Sequence, residues 1–236
     1  MKVPKLVKVM QIPIFSDKVD YWAVPTLDNN VYYSGNFQVD SAYKSGSIFF
    51  NYDGKFVSFD GKNLEVVIDD KEAQDYVLYY GKPVPVYRKG NGFVVGDKKY
   101  TSFYKRYGFT ILQDGKQLEL FTPFVVKEFE HPNSFLVLPT HVSLLYDEDS
   151  VIVDVLGNVK RVGRPLHFIG NYDQYQVFYS RSGRVEVTDN NGVMNAETFC
   201  NSPPIVVGVI GKGLAIECDD RIKVFTPNGW LVKNFT

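Results

Sequence analysis

Alanine, cysteine, histidine and long apolar runs are all scarce in this chain of 236 residues. Only five alanines occur, against 33 valines, 18 phenylalanines and 16 tyrosines. Because alanine is the best helix former, whereas β-branched and aromatic residues favour strands, this composition predicts an all-β fold. Turn residues or charges interrupt every apolar run well before the roughly 20 residues that span a bilayer, so we expect a soluble chain with no membrane partner.

The two cysteines, Cys200 and Cys218, are too few for a fold that depends on disulfides, and a chain of this length can build its own core. We therefore expect unpaired thiols buried as small apolar groups, with a 200–218 disulfide as the alternative. Residues 1–15 are apolar but contain Lys5 and Lys8, and no small-residue cleavage site follows, unlike a signal peptide. These features predict a cytoplasmic location.

Short apolar or alternating runs are separated by turn residues along the whole chain. Each turn contains a residue that tolerates positive φ, as a tight hairpin requires. Clear examples are Asp53-Gly54, Asp60-Gly61, Asp114-Gly115, Ser182-Gly183 and Pro227-Asn228-Gly229. Only residues 69–76 have the composition of a helix, and eight residues without an apolar stripe form one turn at most. The pattern predicts many short strands joined by hairpins.

The hairpins recur in a fixed order, and the start of the middle hairpin serves as an anchor for each copy. The anchors are Trp22, Ile48, Val77, Phe109, Val142, Val177 and Leu214, with intervals of 26, 29, 32, 33, 35 and 37 residues. A unit repeated at this period indicates stacked sheets, because one sheet alone cannot bury both of its faces. We predict a small single-domain β-propeller over residues 1–236, with six or seven short blades of three to four antiparallel strands. Residues 70–107 fit either one blade or two.

The copy at residues 205–235 carries a family resemblance. Its segment 220–225, DRIKVF, resembles the Asp-led segment that enters the third strand in WD-repeat and related propellers. The resemblance is best over residues 134–236 and implies a degenerate, WD-repeat-like propeller. No Gly-His pair precedes a blade and no Trp-Asp dipeptide closes one, so we do not expect the family's Asp-His-Ser/Thr-Trp hydrogen-bond network.

No residue pattern for standard catalysis is present. The chain has no Gly-x-Ser-x-Gly elbow, phosphate loop, His-Glu-x-x-His helix or Rossmann fingerprint, so we predict no catalytic residue and no cofactor. The three histidines lack the close spacing of zinc ligands, so no metal site is predicted. His131 precedes Pro132 in a turn, His141 is expected in a loop between strands, and His167 lies in the apolar run PLHFIG.

Acidic residues cluster at 69–72, 147–149 and 219–220. The last two clusters fall between the second and third strands of a predicted blade, where a short hairpin favours charged residues, so we interpret them as turns. Converging carboxylates at a propeller channel would instead serve a carbohydrate-active or small-ligand site.

The segment 82–107 has seven basic residues and one acid, and aromatic residues are interleaved with them. Basic side chains with rings that can stack are typical of single-stranded nucleic-acid sites, and they also fit an acidic protein surface. The alternative is that the rings are core positions and the cations are their solvent-facing neighbours. The candidate binding residues are Arg88, Lys89, Lys98, Lys99, Tyr100, Lys105 and Arg106.

The leading functional hypothesis is a non-enzymatic scaffold that binds a protein partner, because a propeller pattern occurs without a catalytic motif. The alternatives are nucleic-acid binding through residues 82–107 and a carbohydrate or small-ligand site at the propeller channel.

Overall fold

The computed structural model describes residues 10–14, 17–25, 31–35, 41–44, 47–59, 63–138, 140–189, 191, 194–210, 213–226 and 229–233. Within these ranges the chain forms 27 β-strands and no helix, which confirms the all-β prediction. No helix long and apolar enough to cross a membrane occurs among these residues. The predicted turns at Asp60-Gly61 and Pro227-Asn228, and residues 1–9, lie outside the described residues.

The first four sheets follow one another along the chain. Sheet 1 has three described strands, β1 (Met10–Ile14), β2 (Asp17–Pro25) and β3 (Val31–Gly35). Sheet 2 contains β4 (Ser41–Lys44), β5 (Ser47–Tyr52), β6 (Lys55–Phe59) and β7 (Leu64–Ile68). Sheet 3 contains β8 (Asp75–Tyr79), β9 (Lys82–Lys89), β10 (Gly92–Val95) and β11 (Lys98–Tyr100). Sheet 4 contains β12 (Ser102–Arg106), β13 (Phe109–Gln113), β14 (Gln117–Phe121) and β15 (Val126–Glu130).

Three further sheets of four strands follow. Sheet 5 contains β16 (Ser134–Val137), β17 (His141–Leu145), β18 (Ser150–Asp154) and β19 (Val159–Arg161). Sheet 6 contains β20 (His167–Tyr172), β21 (Tyr175–Tyr179), β22 (Arg184–Asp189) and β23 (Met194–Phe199). Sheet 7 contains β24 (Ile205–Ile210), β25 (Gly213–Cys218), β26 (Arg221–Thr226) and β27 (Gly229–Lys233).

In every sheet, strands that are consecutive in sequence are neighbours, which is the order of a propeller blade. The predicted β-propeller of short blades is confirmed, with seven sheets over the described residues. Six of the seven anchors lie in the second strand of their sheet, as predicted. Val77 is the exception, because it lies in the first strand of sheet 3. The hairpin that follows it turns at Tyr80-Gly81, where Tyr80 has a φ of 50°, and tyrosine does not signal such a turn in sequence. Residues 70–107 therefore contain one complete sheet.

The contacts between Cα atoms divide the chain into two compact units. Unit 1 comprises Met1–Val142 and Val153–Lys160, and unit 2 comprises Ser143–Ile152 and Arg161–Thr236. In unit 1, one buried cluster joins sheets 3 and 4 and includes Val86, Val95 and Phe121. The core of unit 2 includes Val177 and Val185 of sheet 6 and Leu214 and Ile216 of sheet 7. A single domain over residues 1–236 stays a prediction.

Two expectations about individual residues are wrong. Cys200 and Cys218 form a disulfide, with 5.4 Å between their Cα atoms, because sheet 6 ends its last strand beside the end of β25. The cytoplasmic prediction drew on unpaired thiols and loses that support. His141 is the first residue of β17 and is buried, rather than lying in a loop, and its Nδ1 lies 2.7 Å from the hydroxyl of Thr140.

Candidate interaction site

The basic aromatic segment 82–107 forms β9 to β12. Strand register places Arg88, Phe93 and Tyr100 side by side on one face of sheet 3, here called face A. Tyr87, Val94 and Lys99 are aligned on the opposite face, called face B. Because successive strand residues alternate between faces, Lys98 belongs to face A and Lys89 to face B. The predicted cations are therefore divided between the two faces of the sheet.

Tyr100 is a core residue of face A, with 2% of its surface exposed. Its hydroxyl donates a hydrogen bond of 2.7 Å to Glu119 Oε2 in sheet 4 and lies 2.9 Å from the hydroxyl of Tyr79. Glu119 Oε1 accepts from Lys98 Nζ, which also lies 3.3 Å from Asp114 Oδ2. The hydrogen bond to Glu119 is the main reason that the pKa of Lys98 is raised. Lys98 and Tyr100 therefore join sheet 3 to sheet 4.

Tyr100 should make stability depend on pH in the alkaline range. Burial raises the pKa of Tyr100, and the hydrogen bonds to Tyr79 and Glu119 raise it further. In the unfolded chain the group ionises near pH 10, so its contribution is complete below about pH 10 and declines at higher pH. Above that pH the unfolded chain has lost a proton that the folded chain keeps, which lowers the free energy of unfolding by about 1.4 kcal/mol per pH unit.

Urea unfolding between roughly pH 9 and 11 would measure this dependence. In Tyr100→Phe one titrating proton is absent. Above pH 10 the unfolding free energy of this variant should therefore fall less steeply with pH, by about 1.4 kcal/mol per pH unit. An unchanged slope would show that the Tyr100 hydroxyl ionises in the folded chain as it does in the unfolded chain.

Lys105 is also bound within the protein, and 9% of its side chain is exposed. Its Nζ lies 2.7 Å from Asp75 Oδ1 in β8 and 3.3 Å from Asn51 Oδ1 in β5, and it donates to the carbonyl of Tyr76 at 2.9 Å. Asp75 also accepts hydrogen bonds of 2.6 Å from the Asn51 side chain and from the Tyr76 backbone. Lys105 thus connects sheets 2, 3 and 4.

The other four candidate residues, Arg88, Lys89, Lys99 and Arg106, are exposed. The guanidinium carbon of Arg88 lies 6.0 Å from the centre of the Phe93 ring. That of Arg106 lies 4.7 Å from the centre of the Tyr107 ring. Arg88 and Lys89 end β9, whereas Arg106 ends β12 in the next sheet. The structure therefore supports the core interpretation for Tyr100, and it pairs Lys98 and Lys105 with acids of the protein, although 42% of the Lys98 side chain is exposed.

Three residues that sequence reasoning missed hold the cations in place: Asn51, Asp75 and Glu119. Glu119 could have been recognised in the sequence, because it is the single charge in the apolar run QLELF, which forms a buried strand. Asp75 and Asn51 carried none, since their partner Lys105 is 30 and 54 residues distant in sequence.

The acidic clusters at residues 147–149 and 219–220 lie in turns, as predicted. Asp219 and Asp220 have φ values of 52° and 63° between β25 and β26. Asp149 Oδ2 accepts from Arg161 at 2.5 Å. His167 is buried, and its Nδ1 lies 2.8 Å from the hydroxyl of Ser143. Across the residues that the structure describes, no group of three or more His, Cys, Asp or Glu could hold a metal ion.

No family model matches this chain, and no curated protein is similar to it. Solved structures with some similarity include BamB from Moraxella catarrhalis, at 10% identity over 97% of this chain and 87% of that one, with a TM-score of 0.39. Citrobacter koseri AztD is 11% identical over 96% and 78%, with a TM-score of 0.40. Kluyveromyces lactis Hsv2 is 11% identical over 87% and 72%, with a TM-score of 0.35. At these values the similarities say nothing about the function of this chain.

Proposed function

We propose that this chain is a non-enzymatic, WD-repeat-like propeller scaffold that binds an acidic segment of a protein partner. The observation that carries the proposal is the pair of exposed arginines that each lie over an aromatic ring, Arg88 over Phe93 and Arg106 over Tyr107. The WD-repeat-like character rests on the segment 220–225 and on the order of the strands.

Arginines held in this way suit a protein interface. A ring beneath the guanidinium attracts the cation and limits its conformations, so less entropy is lost when a partner binds. Arginine and aromatic residues are enriched at the energetically important positions of protein interfaces. The planar guanidinium also binds carboxylates in bidentate geometry. The partner that these residues fit best is therefore a segment rich in Asp or Glu.

A nucleic acid fits the same residues less well. A single strand requires a continuous basic groove with rings on which successive bases stack. Here two of the cations, Lys98 and Lys105, are bound to acids of the protein, and Tyr100 is buried. Asp70 also lies beside face B, where it accepts a hydrogen bond from the Tyr87 hydroxyl. These contacts within the protein favour separate arginine–carboxylate contacts with a partner over a continuous groove for a phosphate backbone.

Charge reversal tests the proposal. The variant Arg88→Glu/Lys89→Glu/Arg106→Glu should bind a labelled Glu-rich peptide at least about tenfold more weakly than the unmodified protein, as measured by fluorescence anisotropy. The same peptide with Gln in place of each Glu should bind neither protein, because the arginines recognise carboxylates.

A matched control is Lys116→Glu/Lys160→Glu/Arg181→Glu, which reverses three exposed cations elsewhere and changes the net charge equally. It should retain peptide binding. Equal losses in the two triple variants would show that only net charge matters and would refute the proposal. Tighter binding of an oligothymidylate, weakening steeply with salt, would favour the nucleic-acid alternative instead.

A further inference from the structure

The disulfide between Cys200 and Cys218 joins two consecutive sheets of unit 2. Cys200 directly follows β23, the last strand of sheet 6, and Cys218 is the last residue of β25 in sheet 7. Each cysteine has 2% of its surface exposed. Residues on both sides, including Phe199 and Asp219, are exposed. The bond is therefore buried, whereas the residues next to it in sequence are exposed.

Backbone contacts fix Cys200 to sheet 6. Its N–H donates to the carbonyl of Gly183 at 2.8 Å, and its own carbonyl accepts from the Tyr179 hydroxyl at 3.1 Å. Gly183 has a φ of 92°, and a Cβ at this position would lie 2.7 Å from the carbonyl oxygen of Cys200. Only glycine fits this close approach without strain. Two hydrogen bonds thus hold Cys200 against the Gly183 turn and against Tyr179 of sheet 6.

Polar contacts also join sheet 6 to sheet 7 beside the disulfide. Asp219 Oδ2 accepts from the N–H of Asn201 at 2.8 Å, which is the main reason that the pKa of Asp219 is lowered. Lys223 Nζ donates to the hydroxyl of Thr198 at 2.8 Å and to the carbonyl of Phe199 at 3.0 Å. Sheet 7 therefore contacts the end of sheet 6 through a carboxylate and an ammonium as well as through the sulfurs.

We propose that Cys200–Cys218 is a structural latch formed in an oxidising compartment, and that the folded protein protects it from reductants. Its formation is thiol–disulfide exchange. One cysteine thiolate attacks a disulfide oxidant such as oxidised glutathione, and a mixed disulfide forms as the first glutathione thiolate leaves. The second cysteine thiolate then displaces the other glutathione. Two cysteine thiols are oxidised, one disulfide of the oxidant is reduced, and the two protons pass to its thiolates.

Burial distinguishes a latch from a redox switch. An attacking thiolate must reach a sulfur atom, and labile or regulatory disulfides are accessible ones. Here each cysteine has only 2% of its surface exposed, so an attacking thiolate has little access to either sulfur atom. Oxidising compartments are also where disulfides persist, whereas the cytosol keeps thiols reduced. The inference goes beyond the proposed scaffold function and does not depend on what the chain binds.

The first test uses the unmodified protein. After refolding with reduced and oxidised glutathione, intact mass under non-reducing conditions should be two hydrogens below that of the dithiol form. Dithiothreitol followed by iodoacetamide should leave the cysteines of the native protein unmodified and should alkylate both in urea. Alkylation in the native protein would overturn the latch, because it would show that the bond opens readily or is absent.

The second test measures what the bond contributes. Closing a loop of 18 residues should restrict the unfolded chain enough that Cys200→Ala/Cys218→Ala raises the unfolding equilibrium constant roughly a hundredfold. Asp219→Asn, which weakens only the polar contact, should keep the alkylation pattern of the parent. A double cysteine variant with the parent's urea midpoint would refute the latch.

Discussion

Lys105→Met is expected to lower the free energy of unfolding by about 3 kcal/mol, because it removes one partner of a largely buried ion pair, in which 9% of the Lys105 side chain and 23% of the Asp75 side chain are exposed. The substitution keeps most of the apolar stem but leaves Asp75 and the Tyr76 carbonyl without the ammonium that they bind at 2.7 and 2.9 Å. Asp75 keeps its hydrogen bonds from Asn51 and from the Tyr76 backbone, so the loss should stay at the lower end of the range for buried pairs.

Urea unfolding followed by tyrosine fluorescence measures this effect, and Lys99→Met is the matched control. Lys99 lies in the same basic segment but is exposed, so its substitution should change the unfolding free energy by less than about 0.5 kcal/mol. Similar values for the two variants would show that Lys105 is not a structural connection between sheets 2, 3 and 4. Asp75→Asn should reproduce part of the Lys105→Met loss, because the two changes remove the same ion pair.

Glu119→Gln is expected to lower the free energy of unfolding by about 2 kcal/mol. The Glu119 carboxylate accepts hydrogen bonds from both Lys98 and Tyr100, while only 2% of the residue is exposed. The amide retains one acceptor oxygen but places an NH₂ group where a second acceptor is required. The charge that balances Lys98 is lost as well, although Lys98 is exposed enough for water to compensate in part.

Glu128→Gln is the control for this substitution, since Glu128 lies directly opposite Glu119 in the neighbouring strand and is exposed. Glu128→Gln should change the free energy of unfolding by less than about 0.5 kcal/mol. It removes a like charge beside Glu119, which gives no reason for a loss of stability. The alkaline decline in stability of Glu119→Gln should still begin near pH 10, where the unfolded chain ionises, but it should end at a lower pH, because the Glu119 charge helps to raise the pKa of Tyr100 in the folded chain. Equal stability of the two glutamine variants would contradict a structural role for Glu119.

The sequence predicted the strands well because their signals are local. Alternating apolar residues and turn residues with positive φ act within a few positions, and Asp53, Gly115 and Gly183 have the conformations that their turns require. The one misplaced anchor, Val77, came from a hairpin whose turn contains Tyr80 and whose next strand contains Pro83 and Pro85. Proline ordinarily marks a loop or an edge strand, so local reasoning displaced the blade boundary by one strand.

The candidate site could be predicted only in part. The basic and aromatic composition of residues 82–107 is a property of the sequence, but Tyr100, a candidate binding residue, occupies the core position that strand alternation offered as the alternative. Which of these cations pair with acids of the protein depends on residues that are distant along the chain. Lys98 binds Glu119, 21 residues away, and Lys105 binds Asp75, 30 residues away. Such pairs follow from how one sheet packs on the next, which residue spacing does not encode.

By itself, the sequence determined an all-β chain of short antiparallel sheets repeated in order, because composition, period and turn chemistry act within one hairpin or one blade. Tertiary structure alone decided that Cys200 and Cys218 pair and that Lys98 and Lys105 form ion pairs with acids of the protein. It also left Arg88 and Arg106 exposed over rings. Apart from the contact between the adjacent residues Arg106 and Tyr107, each of these depends on side chains that are not neighbours in sequence meeting in space, where burial and distance decide whether a charge or a sulfur faces solvent or a partner.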